Sequence, residues 1–171
     1  MTESPANTNP PAEVELTGDA IPTFSPDHRH FLELVREDLS RHGFYAYVMI
    51  DDQQRWTVAV DDEAGRVDVR LEGQGYVIEV CGSSPGLFVE ENSDWRRQAL
   101  ERLARRAVPN VARGLLAPNQ HAVWNEDDRG VAVCISHHLP LEQSNRIPAK
   151  ARESLEELEG LLTYVEAELR T

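Results

Sequence analysis

Apolar residues recur along this chain with a helical period, then a strand period, and then alternate between the two. Phe31, Leu32, Val35 and Leu39 repeat at helical spacing behind Ser25-Pro26-Asp27, where Ser25 is a candidate N-cap and Pro26 suits a first turn. Gly43 is a fitting stop, and Leu34 falls off the stripe and reads as exposed. Residues 44–50 are almost wholly apolar and aromatic, as in a strand. Residues 56–60 and 67–71 are two further strands joined by Asp61-Asp62-Glu63-Ala64-Gly65, and residues 76–81 form a fourth between glycine-rich turns.

A central helix is predicted over 93–118. Leu100, Leu103, Ala104, Ala107, Val108, Val111 and Leu115 lie on one stripe of it, and Pro109 should kink or split it. Residues 121–124 and 131–135 then read as a hairpin around Asp127-Asp128-Arg129-Gly130. A last helix opens near Pro148 and is ribbed by Leu155, Leu158, Leu162, Val165 and Leu169. The expected fold is therefore a single α+β domain over residues 25–171. Its order is helix, antiparallel sheet of three or four strands, helix, β-hairpin, helix. Residues 1–24 read as a flexible, proline-rich acidic arm, in which Val14, Leu16, Ile21 and Phe24 could dock.

Composition narrows the function. With 171 residues, 40% of them apolar and 27% charged, the chain fits one soluble domain. No run has the roughly 18–20 apolar residues that cross a bilayer, so no membrane partner is expected. No basic residue precedes an apolar run near the start, so no signal peptide is read and the expected address is the cytoplasm. Thirty acidic against 17 basic residues give a net charge of -13, which repels phosphate backbones and attracts basic partners. Cys81 and Cys134 sit in apolar strands outside any CxxC pattern and are read as buried free thiols; a bond between them requires neighbouring strands.

The polar residues form no recognisable catalytic or metal set. His28 and His30 are two apart on a helix and His137 and His138 adjacent on a strand, so neither pair faces one ion, and His42 and His121 stand alone. Asp51-Asp52, Asp61-Asp62 and Asp127-Asp128 lack calcium-loop spacing and sit where turns are expected. The loops 73–75 and 82–86 lack the lysine or helix of a phosphate cradle, and no elbow surrounds Ser83 or Ser84. No catalytic residue, metal or cofactor is expected. The counter-signal is Arg96, Arg97, Arg102, Arg105, Arg106 and Arg113 on the central helix. They support an alternative reading as a regulator that contacts nucleic acid directly.

In element order, size, acidity and lack of catalytic groups the chain resembles the YbjN family, itself similar in fold to the type III secretion chaperones. The resemblance is carried by the first helix ending at Gly43-Phe44 and by the strands 56–60, 67–71 and 76–81. It continues in Pro109-Asn110-Val111-Ala112-Arg113, His138-Leu139-Pro140-Leu141 and the leucine-ribbed last helix. It implies a small acidic homodimer that binds non-globular segments of a client protein, with no catalytic residues to carry over. On this reading Leu34, Tyr45, Tyr47, Trp56, Val58 and Trp124 are the expected client contacts. Leu100, Leu103, Ala104, Ala107 and Val111 are the expected dimer contact. A basic client, such as a nucleic-acid-binding protein, fits the charge.

Overall fold

The computed structural model describes residues 26–171, so the acidic arm and the Ser25 cap lie outside the described residues. The elements run α1 (Pro26–Arg41), β1 (Ala46–Ile50), β2 (Trp56–Asp61), β3 (Arg66–Glu72), β4 (Gly75–Ser84), α2 (Asp94–Leu115), β5 (Gln120–Asn125), β6 (Gly130–Pro140), a 3-10 helix η1 (Leu141–Arg146) and α3 (Ile147–Arg170). The class is α+β as expected. The strand number is corrected, since four strands precede α2 and the later hairpin joins the same sheet. All six strands are antiparallel, in the order β1-β2-β3-β4-β6-β5.

Register divides the sheet into two faces. Val58 pairs with Val69, Val69 with Ile78, and Val80 with Ile135, so one face carries a continuous band of buried aliphatic residues. The helices cover that band: α1 packs on β1, β2 and β3, α3 on β4 and β6, and α2 on β5. α3 comes down onto bare backbone at Gly65, where a Cβ would stand 2.7 Å from Leu158 Cδ2, and at Gly82. A Cβ at Gly82 would stand 2.9 Å from both Leu158 Cδ2 and Leu162 Cδ1, so these leucines rest on bare backbone. Gly130 is constrained more tightly, because a Cβ would fall 1.7 Å from the Ser84 carbonyl oxygen across the β4–β6 ladder.

The helices are held unequally. Nine residues of α3 are buried, among them Leu155, Leu158, Leu162, Val165 and Leu169, so the ribbed helix is the centre of the core. In α2 only Ala104 and Val108 are buried. That helix gains two ion pairs to the β5–β6 turn, Arg105 to Glu126 and Arg129 to Glu101, each at 2.8 Å. Pro109 does not split α2; it sits exposed within one continuous helix. No helix among the described residues is long and apolar enough to cross a membrane.

The acidic pairs close turns. The Asp51 carboxylate accepts from the backbone N–H of Gln53 and Arg55, and Asp62 from that of Ala64. The cysteines correct the sequence reading. Cys81 and Cys134 are cross-strand partners in the β4–β6 ladder, with Cα atoms 4.1 Å apart, joined in a disulfide and half-buried on the face without helices. Strand alternation alone does not specify which two strands meet, so the pairing was hidden in the sequence.

Two stability predictions follow from this core. The disulfide spans a sequence separation of 53, so Cys81→Ala/Cys134→Ala should lower unfolding free energy by about 2–4 kcal/mol in a urea titration under oxidising conditions. An unchanged midpoint would show that the bond contributes nothing. Ser154 is fully buried in α3, and its hydroxyl has no hydrogen-bond partner among the described residues. Ser154→Ala should therefore raise stability by about 1 kcal/mol, and a loss would reveal a partner for that oxygen.

Candidate partner-binding groove

The side of α1 that faces the start of β4 and η1 forms one wall of a groove. Phe31, Leu34, Val35, Asp38 and Arg41 follow at spacings of three and four, which stacks them on one helical face. Pro140 ends β6, and the tight η1 turn that follows brings Leu141, Ser144 and Asn145 opposite that face. Tyr76, at the start of β4, lines the groove between them. The enclosed volume is about 340 Å³. Val35 and Tyr76 are buried, whereas Leu34 is 47% exposed, so the groove is apolar inside and offers a leucine at its lip. Burial raises the Tyr76 hydroxyl pKa above its usual value and keeps it protonated. At the polar end the Asp38 carboxylate lies 4.0 Å from Arg41 and 3.6 Å from His42. The arrangement can bury one or two apolar side chains of a visiting segment and offers polar groups beside them.

The helix-free face of the sheet is different. Arg55 pairs with Asp51 at 2.9 Å and Glu72 at 3.1 Å, Arg66 with Asp68 at 3.0 Å, and Arg70 with Glu72 and Glu79. Burial pushes the Asp68 carboxyl above its usual range, opposed by Arg66. At Asp51 burial acts upward too, but hydrogen bonds from the Arg55 backbone and side chain outweigh it and lower the pKa. These charges answer one another within the chain, so the face presents little net demand for a ligand.

The client contacts expected from the sequence do not gather in one place. Leu34 lines the groove. Tyr45 is 81% exposed beside β1, its ring tilted against Tyr47, whose hydroxyl donates to Asp61 at 2.7 Å. That hydrogen bond raises the Tyr47 pKa. Trp56 is half-buried under the Arg29 guanidinium, and Trp124 packs on the core from β5, the opposite edge strand. Val58 is fully buried in the middle of the core and has no surface to give a partner. The expected dimer stripe turns inward as well. Ala104 is buried, Ala107 and Val111 pack against the core, and Leu100 is half-buried, leaving only Leu103 well exposed.

The α2 arginines also sort by environment. Arg97 pairs with Asp94, Arg105 with Glu126, and Arg113 donates to Asn110. Arg96 lies over the Trp95 ring at 5.4 Å, and Arg102 and Arg106 have no carboxylate partner among the described residues. His28 is fully buried and His137 half-buried. Among the described residues no three His, Cys, Asp or Glu side chains group as a metal site. Sequence reasoning missed Phe31, Val35, Tyr76, Leu141, Ser144 and Asn145 as groove residues, since η1 has no periodic signature. The one available signal was Leu34, a leucine out of step with its helix.

Compared with known protein families, with curated proteins and with solved structures, the chain finds no match in any of the three.

The groove and the core are separable by mutation. Leu34→Ala should leave the unfolding free energy from chemical denaturation within about 0.5 kcal/mol of wild type, because the residue lies at the surface, 47% exposed. Val58→Ala should cost about 1–3 kcal/mol. Equal losses at both positions would mean that Leu34 is structural.

Proposed function

We propose that this chain is a non-enzymatic, homodimeric protein-binding module of chaperone or adaptor type. Its α1–η1 groove holds an extended or helical segment of a client protein. The groove supports this reading: its buried walls are apolar, its lip is an exposed leucine, and its polar groups lie beside the apolar anchors. The net charge of -13 favours a client with basic residues flanking its apolar anchors, drawn in fastest at low salt. The likeness to the YbjN proteins belongs to the same proposal and supplies its homodimeric form.

The cytoplasm is the proposed address. The Cys81–Cys134 bond speaks against it, because cytoplasmic reductants keep most thiols apart. Differential alkylation of the protein drawn from its native cell decides the matter, a bonded pair pointing to an oxidising compartment.

Selecting peptides from a random display library, then titrating the best against purified protein, tests the groove. Leu34→Glu should weaken binding by about tenfold or more, equivalent to about 1.4 kcal/mol, with the unfolding midpoint unchanged. Failure to select any peptide, or full affinity in Leu34→Glu, removes the groove from the reading.

A further inference from the structure

α2 and α3 present oppositely charged outer faces. Along α2, Trp95, Arg102, Arg106 and Arg113 follow at offsets of seven, eleven and eighteen, which places them on a single ridge opposite the buried Ala104. Ala99 and Leu103 lie beside that ridge, and with Arg102 and Arg106 they line a shallow hollow of about 350 Å³. Trp95 is 69% exposed and Leu103 63% exposed, a large apolar offering from a helix whose own fold uses two buried residues. The whole helix carries six arginines against Asp94 and Glu101.

α3 reverses the pattern. Opposite its buried leucines run Gly160, Tyr164 and Ala167, all exposed, flanked by Glu153, Glu156, Glu157 and Glu159. A Cβ at Gly160 would meet nothing within 4 Å, so the helix backbone lies bare and open there, one turn from an exposed tyrosine. Lys150 takes Glu153, but Glu156 and Glu159 have no cation partner among the described residues. Six glutamates on this helix face Lys150, Arg152 and Arg170 as its basic residues.

We propose that two copies of this chain pair through these faces, the basic ridge of each α2 lying on the acidic outer face of the other's α3. Because α2 and α3 are neighbours in the helical layer, one two-fold axis running between them makes both contacts at once. Leu103 then packs on the bare backbone at the partner's Gly160, beside the partner's Tyr164, and Trp95 extends the contact about two helical turns away. Arg102 and Arg106 meet the partner's Glu156 and Glu159. Charge complementarity selects the second copy as the occupant. Two chains of net charge -13 repel over most of their surfaces, and this docking sets the one strongly basic element of each against the most acidic helix of the other. The inference rests on the homodimeric part of the proposed function and is independent of the α1–η1 groove.

Sedimentation velocity on the full chain tests it through a charge swap. Wild type should sediment as a dimer whose dissociation constant rises with ionic strength. Arg102→Glu/Arg106→Glu and Glu156→Arg/Glu159→Arg should each raise that constant by about tenfold or more. Mixing the two variants should restore a dimer, since each reversed helix then meets its complement. Wild type remaining monomeric overturns both the homodimer and this interface, while peptide binding by the groove would survive. Dimers unaffected by either variant, or variants that fail to pair on mixing, overturn the interface alone. Equally, a monomer that binds a single-stranded oligonucleotide, and loses it in Arg102→Glu/Arg106→Glu, assigns the ridge to phosphate and overturns the proposal.

Discussion

Everything in this fold is arranged around the seating of Leu158 and Leu162 on a strand position without a side chain. At Gly82 the helix comes so close that even a methyl group would collide with both leucines. This contact fixes the height of α3 above β4, and α3 is the helix that touches both of its neighbours. α1 then has its position set by the aliphatic band of β1 to β3 on one side and by α3 on the other. The groove beside α1 exists because η1 delivers the chain into α3 at that fixed height. Interiors are packed as densely as organic crystals, so a change at this contact is passed outward rather than absorbed.

Much of this was readable from residue order, for identifiable reasons. α3 carries its buried side chains at alternating steps of three and four, and the period alone reveals both element and inward face. The strands showed themselves through β-branched runs and acidic turns. What stayed hidden depended on contacts between distant segments. Nothing in residues 120–140 says that β6 lies beside β4, so the six-stranded sheet and the Cys81–Cys134 bond emerged together once register was known, while the burial of Val58 waited on the packing of α1 over β2. η1 was invisible for a different reason, being too short to show a period, and with it went one wall of the groove.

α2 is the instructive failure. It carries apolar residues on two sides, and the longer stripe was assigned to a partner when it was needed at home. Ala104 and Val108 are small enough to let the helix sit close over β5, and so the inner side is the inconspicuous one. Leu103, read as part of the inner stripe, instead joins Trp95 and Ala99 in a line at intervals of four among the arginines.

The cross-link between β4 and β6 has one more consequence. It ties β4 to β6 across their shared ladder, so residues 81–134 form a covalent ring that takes in α2 and β5. A protease that nicks the exposed tip around Asp127 severs the backbone without releasing either piece. The clipped molecule keeps its mass until a reductant is added, and only then separates in denaturant.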